Sequence, residues 1–252
     1  MTNVVDLKNI VKRFPVYNNF LGKNEQERSG FFYALDDVSL SVKSGECVII
    51  AGANGSGKSL LMSIIAGLEE PTSGSVFTNT KAGLVFQEPD AQILGETPRE
   101  DIAFGPCNLR LSREEIRLRV EASLAQTGLT ERADFPSRSL SGGEKRRLAA
   151  AGVLAMDAQI IIFDEPYANL DFPGIKQVNL LLQKLNKDGK TVIILTHELE
   201  KCMALAARII ILCKGKKVLD SSAEEALSFD LESCGIHHPF KKTASKPGDL
   251  LW

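Results

Sequence analysis

Gly52-Ala-Asn-Gly-Ser-Gly57-Lys58-Ser59 is the stretch of this chain whose residue types and spacing carry the most chemistry. It follows the apolar run Cys47–Ala51 and opens a stretch, Lys58–Ala66, suited to a helix. The spacing is that of a phosphate-binding loop, GxxxxGK[ST], in the strand-then-helix context such a loop needs. Gly52 and Gly57 are free to take backbone angles closed to other residues, so the N–H groups along Ala53, Asn54, Gly55 and Ser56 can turn inward around an anion. The helix that follows presents its N-terminus, about half a positive charge, to the same phosphates. Lys58 is then expected to reach the β and γ phosphates, and the Ser59 hydroxyl to ligate Mg²⁺.

Three further groups join this one. Ile160–Phe163 ends in Asp164-Glu165. A carboxylate at the C-terminal edge of a parallel strand lies beside a phosphate loop, so Asp164 is placed to hold Mg²⁺ or its water. Glu165 is then free to act as general base on the attacking water. A third strand ends in Leu195-Thr196-His197, from which the His197 imidazole can reach the γ-phosphate. Finally, Leu140-Ser141-Gly142-Gly143-Glu144 stands before a helix expected over Lys145–Ala155. Small residues, free N–H groups and a helix dipole make that start a second anion-binding device. Two such helix starts in one chain imply a dimer in which each chain completes the other's site.

The elements that must position these residues are legible as alternating strands and helices. Val4–Ile10 and Val38–Val42 suit strands of a partly exposed sheet. Cys47–Ala51, Ile160–Phe163 and Val192–Leu195 are short, continuous and rich in β-branched residues, as strands buried on both faces of a parallel sheet are. Each precedes a helix-compatible stretch: Lys58–Ala66, Ile175–Asn186 and Glu198–Ala207. The pattern is βαβ, with an α/β core. From Phe86 to Met156 strand-like runs vanish. There Arg113–Thr127 sets Ile116, Val120 and Leu124 on one helical face, behind a Ser112/Glu115 capping signature. This region reads as a helical subdomain inserted into the core. Pro15–Gly30 reads as a polar surface loop. The tail after Asp220 shows little periodicity, and His237-His238 within it reads as solvated.

Composition sets the outer limits. With 252 residues, 44% hydrophobic, 25% charged and a net charge of −2, the chain supports a buried core and is not disordered in bulk. It lacks the basic excess that a nucleic-acid partner demands, so none is expected. The longest apolar runs, such as Leu148–Met156, fall far short of the roughly eighteen residues of a membrane span. No secretory leader opens the sequence, so a soluble protein made in the cytosol is expected. Five scattered cysteines without a CxxC pair point to ordinary thiols in a reducing compartment rather than to zinc or disulfides.

Taken together, these motifs resemble the ATP-binding subunit of ABC transporters, whose signature is LSGGE-like and lies between phosphate loop and acidic strand. The resemblance spans residues about 1–220. It implies an α/β P-loop NTPase fold of ABC type: a mainly parallel sheet core, an N-terminal antiparallel β subdomain and an inserted α-helical subdomain. The chain would be one ABC ATPase domain, with residues 1–86 and 157–220 as catalytic core, 87–156 as signature subdomain and 221–252 as a short C-terminal segment. Carried over by position, Gln87 looks like the glutamine that senses Mg²⁺ and the membrane subunit. Asn169-Leu170-Asp171 resembles the loop crossing the dimer interface, and His197 the switch histidine. Phe14 takes the place of the aromatic that stacks on adenine. ATP and Mg²⁺ are the implied ligands, with Ser141, Gly142, Gly143 and Glu144 acting in trans on the nucleotide of a second, identical or homologous ATPase chain.

Within the family, Val85–Gln92, Glu100–Gly105, Leu111–Glu115 and Leu231–Pro239 resemble energy-coupling factor transporters and their cobalt and nickel importing relatives. That implies a transmembrane coupling subunit, a substrate-binding membrane subunit for a vitamin or metal ion, and a peripheral place on the cytoplasmic face of the membrane. Pro89–Ile102 would help form the groove for the coupling protein. A conventional ABC importer, or a soluble ABC ATPase, is the alternative. The chain departs from the family pattern at Leu60, which stands where a threonine hydroxyl usually reaches the α-phosphate, a loss of about 1–2 kcal/mol. Glu144 replaces a more frequent glutamine, Tyr167 a usual threonine, and Phe172 precedes the proline after the crossing loop.

Overall fold

A computed structural model describes residues 2–16, 26–28 and 30–240. The sequence-expected loop Pro15–Gly30 falls largely outside these, as does the tail from residue 241. Strands β4 (Cys47–Ala51), β7 (Ile160–Asp164) and β8 (Thr191–Thr196) are buried at every position. Their neighbours explain why. They lie inside a six-stranded sheet of order β10-β9-β4-β8-β7-β6, which includes β6 (Ala82–Val85), β9 (Arg208–Cys213) and β10 (Lys216–Ser222). All pairings are parallel except the β9–β10 edge hairpin.

Alternation within these strands fills two separate cores. Cys47, Ile49 and Ala51 join Val192 and Ile194 in one, under α4 (Gly142–Ala155) and α5 (Phe172–Lys187). Val48 and Ile50 join Ile193 and Leu195 in the other, against α1 (Lys58–Ile65) and the second sheet. That second sheet is antiparallel, of order β2-β3-β1-β5: β1 is Asn3–Pro15, β2 Glu27–Arg28, β3 Phe31–Lys43 and β5 Ser73–Thr78.

A third cluster holds the helices α2 (Pro98–Asn108), α3 (Arg113–Thr127) and α4 together through Ile102, Val120, Leu124, Leu148, Ala151 and Ala155. Ser112 caps α3 as its spacing foretells, accepting from the Glu115 N–H at 3.2 Å. Helix α4 belongs to two clusters, for its Ala149, Ala150, Val153 and Leu154 face the α/β core. Gly83 of β6 permits that close packing, since a Cβ there would lie 2.1 Å from a Val153 methyl.

Two local expectations need correction. Glu198–Ala207 is not a helix but two 3-10 turns, Leu199–Lys201 and Met203–Leu205. Cys202 between them takes φ −139°, which lets Leu199, Cys202 and Ala206 all reach the core before β9 begins. Residues 221–240 are also more ordered than their weak periodicity indicates. After α6 (Ala223–Ala226), Leu231, Cys234 and Ile236 are buried in the core, and half-buried His238 bonds the Leu227 carbonyl at 2.9 Å rather than facing solvent.

Candidate functional site

The phosphate loop leaves β4 and enters α1 under tight constraint. A Cβ on Gly52 would meet Ser56 Oγ at 2.4 Å and the Leu212 carbonyl at 2.5 Å. Gly57 takes φ +101°, and a Cβ there would lie 2.8 Å from the Ala34 carbonyl. Gly55 is also left-handed, so the loop from Ala53 to Ser56 curls back on itself. Lys58 is buried, and its Nζ donates to the carbonyls of Gly52 at 2.6 Å and Ala53 at 3.1 Å. Burial lowers its pKa, while Glu165 and Asp164 partly restore it.

Strands β7 and β8 deliver the acids to the same place. Glu165 takes a left-handed φ of +44°, and its N–H donates to the Leu195 carbonyl at 2.9 Å. Its carboxylate gathers three groups. Oε1 lies 3.5 Å from Lys58 Nζ and 2.9 Å from His197 Nδ1, and Oε2 accepts from Thr196 Oγ1 at 3.0 Å. Four residues expected from sequence to converge — Lys58, Asp164, Glu165 and His197 — therefore do so.

Asp164 is buried beside them and bonds Ser59, with burial pushing its pKa up. Its Oδ1 is buried without a hydrogen-bond partner among the described residues. A hydroxyl and a carboxylate with a spare oxygen are a hard donor set, which fits Mg²⁺. Leu60, half-buried, packs against the apolar cluster between α1 and the antiparallel sheet.

The remaining candidates stand elsewhere on the chain. Gln87 is exposed just beyond β6. Phe14, 44% exposed, pairs with Phe32 near the end of the antiparallel sheet, with Lys12 Nζ 5.5 Å from its ring centroid. Ser141 and Glu144 form a complete capping box at the start of α4, and the Ser141 N–H holds the Glu144 carboxyl below its usual pKa. Their surroundings are Arg132, Leu170 and Gly174, not the phosphate loop. Asp171 caps α5, accepting from the Gly174 N–H at 2.9 Å. Ser141–Glu144 and Leu170–Gly174 thus share one surface, apart from Lys58 and Glu165.

Against this geometry, the family model described as "ABC transporter" matches residues 35–168. The chain belongs to the ABC transporter family. An energy-coupling factor transporter ATP-binding protein, EcfA1 of Caldanaerobacter subterraneus subsp. tengcongensis, is 44% identical over 76% of this chain and 74% of its own. A cobalt import ATP-binding protein, CbiO of Rhodobacter capsulatus, is 40% identical over 77% and 75%. The chain spans 53% of the length of one longer relative. Among solved structures, CbiO1 of Clostridium perfringens, part of the ABC transporter complex CbiONQ, aligns with TM-score 0.79 and 30% identity over 92% of this chain and 93% of that one. As an ABC ATPase, the chain binds ATP with Mg²⁺ and hydrolyses it.

Two residues of this ABC ATPase emerge only from the structure. Arg146 of α4 is buried without a carboxylate partner among the described residues and donates to three carbonyls: Pro166 at 2.9 Å, Ala168 at 3.1 Å and Gln87 at 2.6 Å. It ties the signature helix to both loops that flank the site. Its sequence signal is faint: an arginine three residues from Gly143 and Ala149, on the buried side of α4. Thr196 is the other, fully buried at the end of β8.

Proposed function

We propose that this chain drives an energy-coupling-factor-type importer of a vitamin or transition-metal ion, as a dimer on the cytoplasmic face of the membrane. The observation that carries the proposal is the division of the site. Lys58, Asp164, Glu165 and His197 meet at the phosphate loop, while Ser141–Glu144 occupies a different surface with Leu170 and Asp171. One chain is half a site twice over, and a second ATPase chain, identical or homologous, makes both halves whole.

In that dimer Lys58 holds the β and γ phosphates, and the N-terminus of α1 adds its dipole. Ser59, Asp164 and Gln87 hold Mg²⁺, which when bound neutralises charge developing on the phosphates. Phe14 offers its exposed ring to the adenine, a contact with little base specificity. Glu165 takes the proton of the water that attacks the γ-phosphorus as the bond to ADP breaks. His197 contacts the γ-phosphate, and Ser141, Gly142 and Gly143 present N–H groups from across the interface. Closure brings the two helical bodies together and moves whatever they grip.

The energy-coupling branch rests on the segments Val85–Gln92, Glu100–Gly105, Leu111–Glu115 and Leu231–Pro239 and on the names of the relatives. A groove of about 490 Å³ lined by Asp90, Ile93, Glu96, Thr97, Asp134 and Arg138 is offered by the helical body for a coupling helix. No helix among the described residues is long and apolar enough to cross a membrane.

The test is a pull-down of tagged Glu165→Gln chain from gently solubilised source membranes with ATP present. Recovery of a small coupling-type membrane protein with a second small membrane subunit is the expected result. A single large permease would move the chain to a conventional importer, and a soluble partner alone would overturn transport.

A further inference from the structure

We infer that Thr196 is a positioning residue for hydrolysis: its hydroxyl aims the carboxylate of Glu165 and keeps it aimed after Lys58 and His197 turn to the nucleotide. The inference rests on the general-base role of Glu165 proposed above. Thr196 ends β8, the parallel neighbour of β7, in which Asp164 pairs with Leu195. Glu165 therefore emerges beside it. Thr196 is fully buried, and its own backbone is fixed by the Gly52 N–H donating to its carbonyl at 3.3 Å. One residue touches both the first glycine of the phosphate loop and the base.

The hydroxyl has a single proton, and the geometry settles where it goes. Thr196 Oγ1 accepts from the Glu198 N–H at 3.0 Å, so a lone pair is committed there. The remaining contact, 3.0 Å to Glu165 Oε2, takes the proton. A β-branched side chain with restricted χ1 supports a fixed direction.

The two carboxylate oxygens are fastened differently. Oε1 faces Lys58 and His197, which carry the groups expected to engage phosphate. Oε2 faces Thr196, which is uncharged and buried and has no reason to leave. When nucleotide draws Lys58 and His197 away, Oε1 becomes available to water, and Thr196 alone preserves the rotamer. The left-handed φ of Glu165 makes that anchor more necessary, because a strained residue without it has other conformations to relax into.

The experiment compares Thr196→Val, which keeps the shape and loses the hydroxyl, with Thr196→Ser, which keeps the hydroxyl. Both are measured for steady-state ATP hydrolysis, nucleotide binding and thermal melting, alongside Glu165→Gln. Thr196→Val should lower kcat about tenfold with KM for ATP within about twofold of the parent, and Thr196→Ser should restore most of it. In a Glu165→Gln background, adding Thr196→Val should cost no further residual activity, since the hydroxyl acts through the carboxylate. Parental kcat in Thr196→Val overturns the inference, as does an equal further loss in the double variant. If Thr196→Val does not fold, Thr196→Ser still decides: a tenfold loss of kcat with the hydroxyl present overturns it, and parental kcat supports it. Near-parental turnover in Glu165→Gln would instead remove the base itself.

Discussion

Replacing Arg146 by alanine interrogates the joint between signature helix and nucleotide site. Arg146 is 3% exposed, and burial depresses its pKa, yet no carboxylate among the described residues offsets the charge. What holds it is three carbonyls on two loops. A hydrogen bond to a charged group contributes about 1.5–3 kcal/mol, and a buried acceptor left without a donor costs about 1–3 kcal/mol. Offsetting this, the variant no longer buries an unpaired cation. Water can also reach the carbonyl of Gln87, which lies on an exposed segment. A net loss of about 2–4 kcal/mol follows. For a domain of this size each kcal/mol shifts Tm by about 2–4 °C, so the melting point should fall by about 5–15 °C. Arg146→Lys keeps the charge, but a single ammonium cannot span three carbonyls on two loops, and about half the loss should remain. Thermal melts by circular dichroism read the stability. ATP turnover measured below the melting transition of each variant reads the coupling, with kcat expected to drop at least about tenfold in Arg146→Ala. A variant melting within about 2 °C of the parent, with unaltered turnover, would refute the clamp.

Glu165→Gln should lower hydrolysis by roughly 10²–10⁴-fold while ATP binding persists, checked by phosphate release and by equilibrium binding of a fluorescent nucleotide. Lys58→Ala should abolish nucleotide binding in the same assay, because no other buried cation faces the loop among the described residues. Asp164→Asn should stabilise the nucleotide-free protein and remove Mg²⁺-dependent turnover. Burial raises the folded-state pKa of Asp164 above its unfolded value. The ionised carboxylate therefore costs stability at neutral pH, and the cost is lifted as pH falls through the folded pKa towards the unfolded one. Differential scanning calorimetry at pH 7 and below should show the parent's deficit against Asp164→Asn shrinking as pH falls, and a constant deficit would contradict the assignment.

The half of the site around Lys58 was legible because it hangs on strand ends. Cys47–Ala51, Ile160–Phe163 and Val192–Leu195 declare themselves by continuous apolar, β-branched residues, and whatever follows each must lie at the same sheet edge. Lys58, Asp164, Glu165 and His197 inherit their positions from that rule alone. β9 has an equally plain run, Ile209–Leu212, but the turns preceding it resemble a helix in composition and obscure its start. β5 and α2 were not legible: β5 is exposed along almost its whole length, and α2 contains Gly105 and Pro106. Arg146 and Thr196 were hidden for a different reason. Each acts through hydrogen bonds to groups distant in sequence, such as Gln87 and Glu165, and no local pattern records a partner that far away.

The chain leaves the sheet at the end of β6 and rejoins it at β7, and these two strands are immediate parallel neighbours, with Ala82 opposite Ile160. Everything between residues 85 and 160 is therefore an excursion whose two ends sit side by side. Such an excursion can be lengthened, shortened or exchanged over evolutionary time with little entropic consequence for closing the sheet. The helical body can therefore change while the residues at the sheet edge keep their places. The limit on such grafting is α4, which contributes to one core of the α/β sheet and to the helical cluster. A transplanted module must bring a helix with Arg146 in register and a side chain that packs on Gly83 as Val153 does, or it will be a passenger instead of a lever.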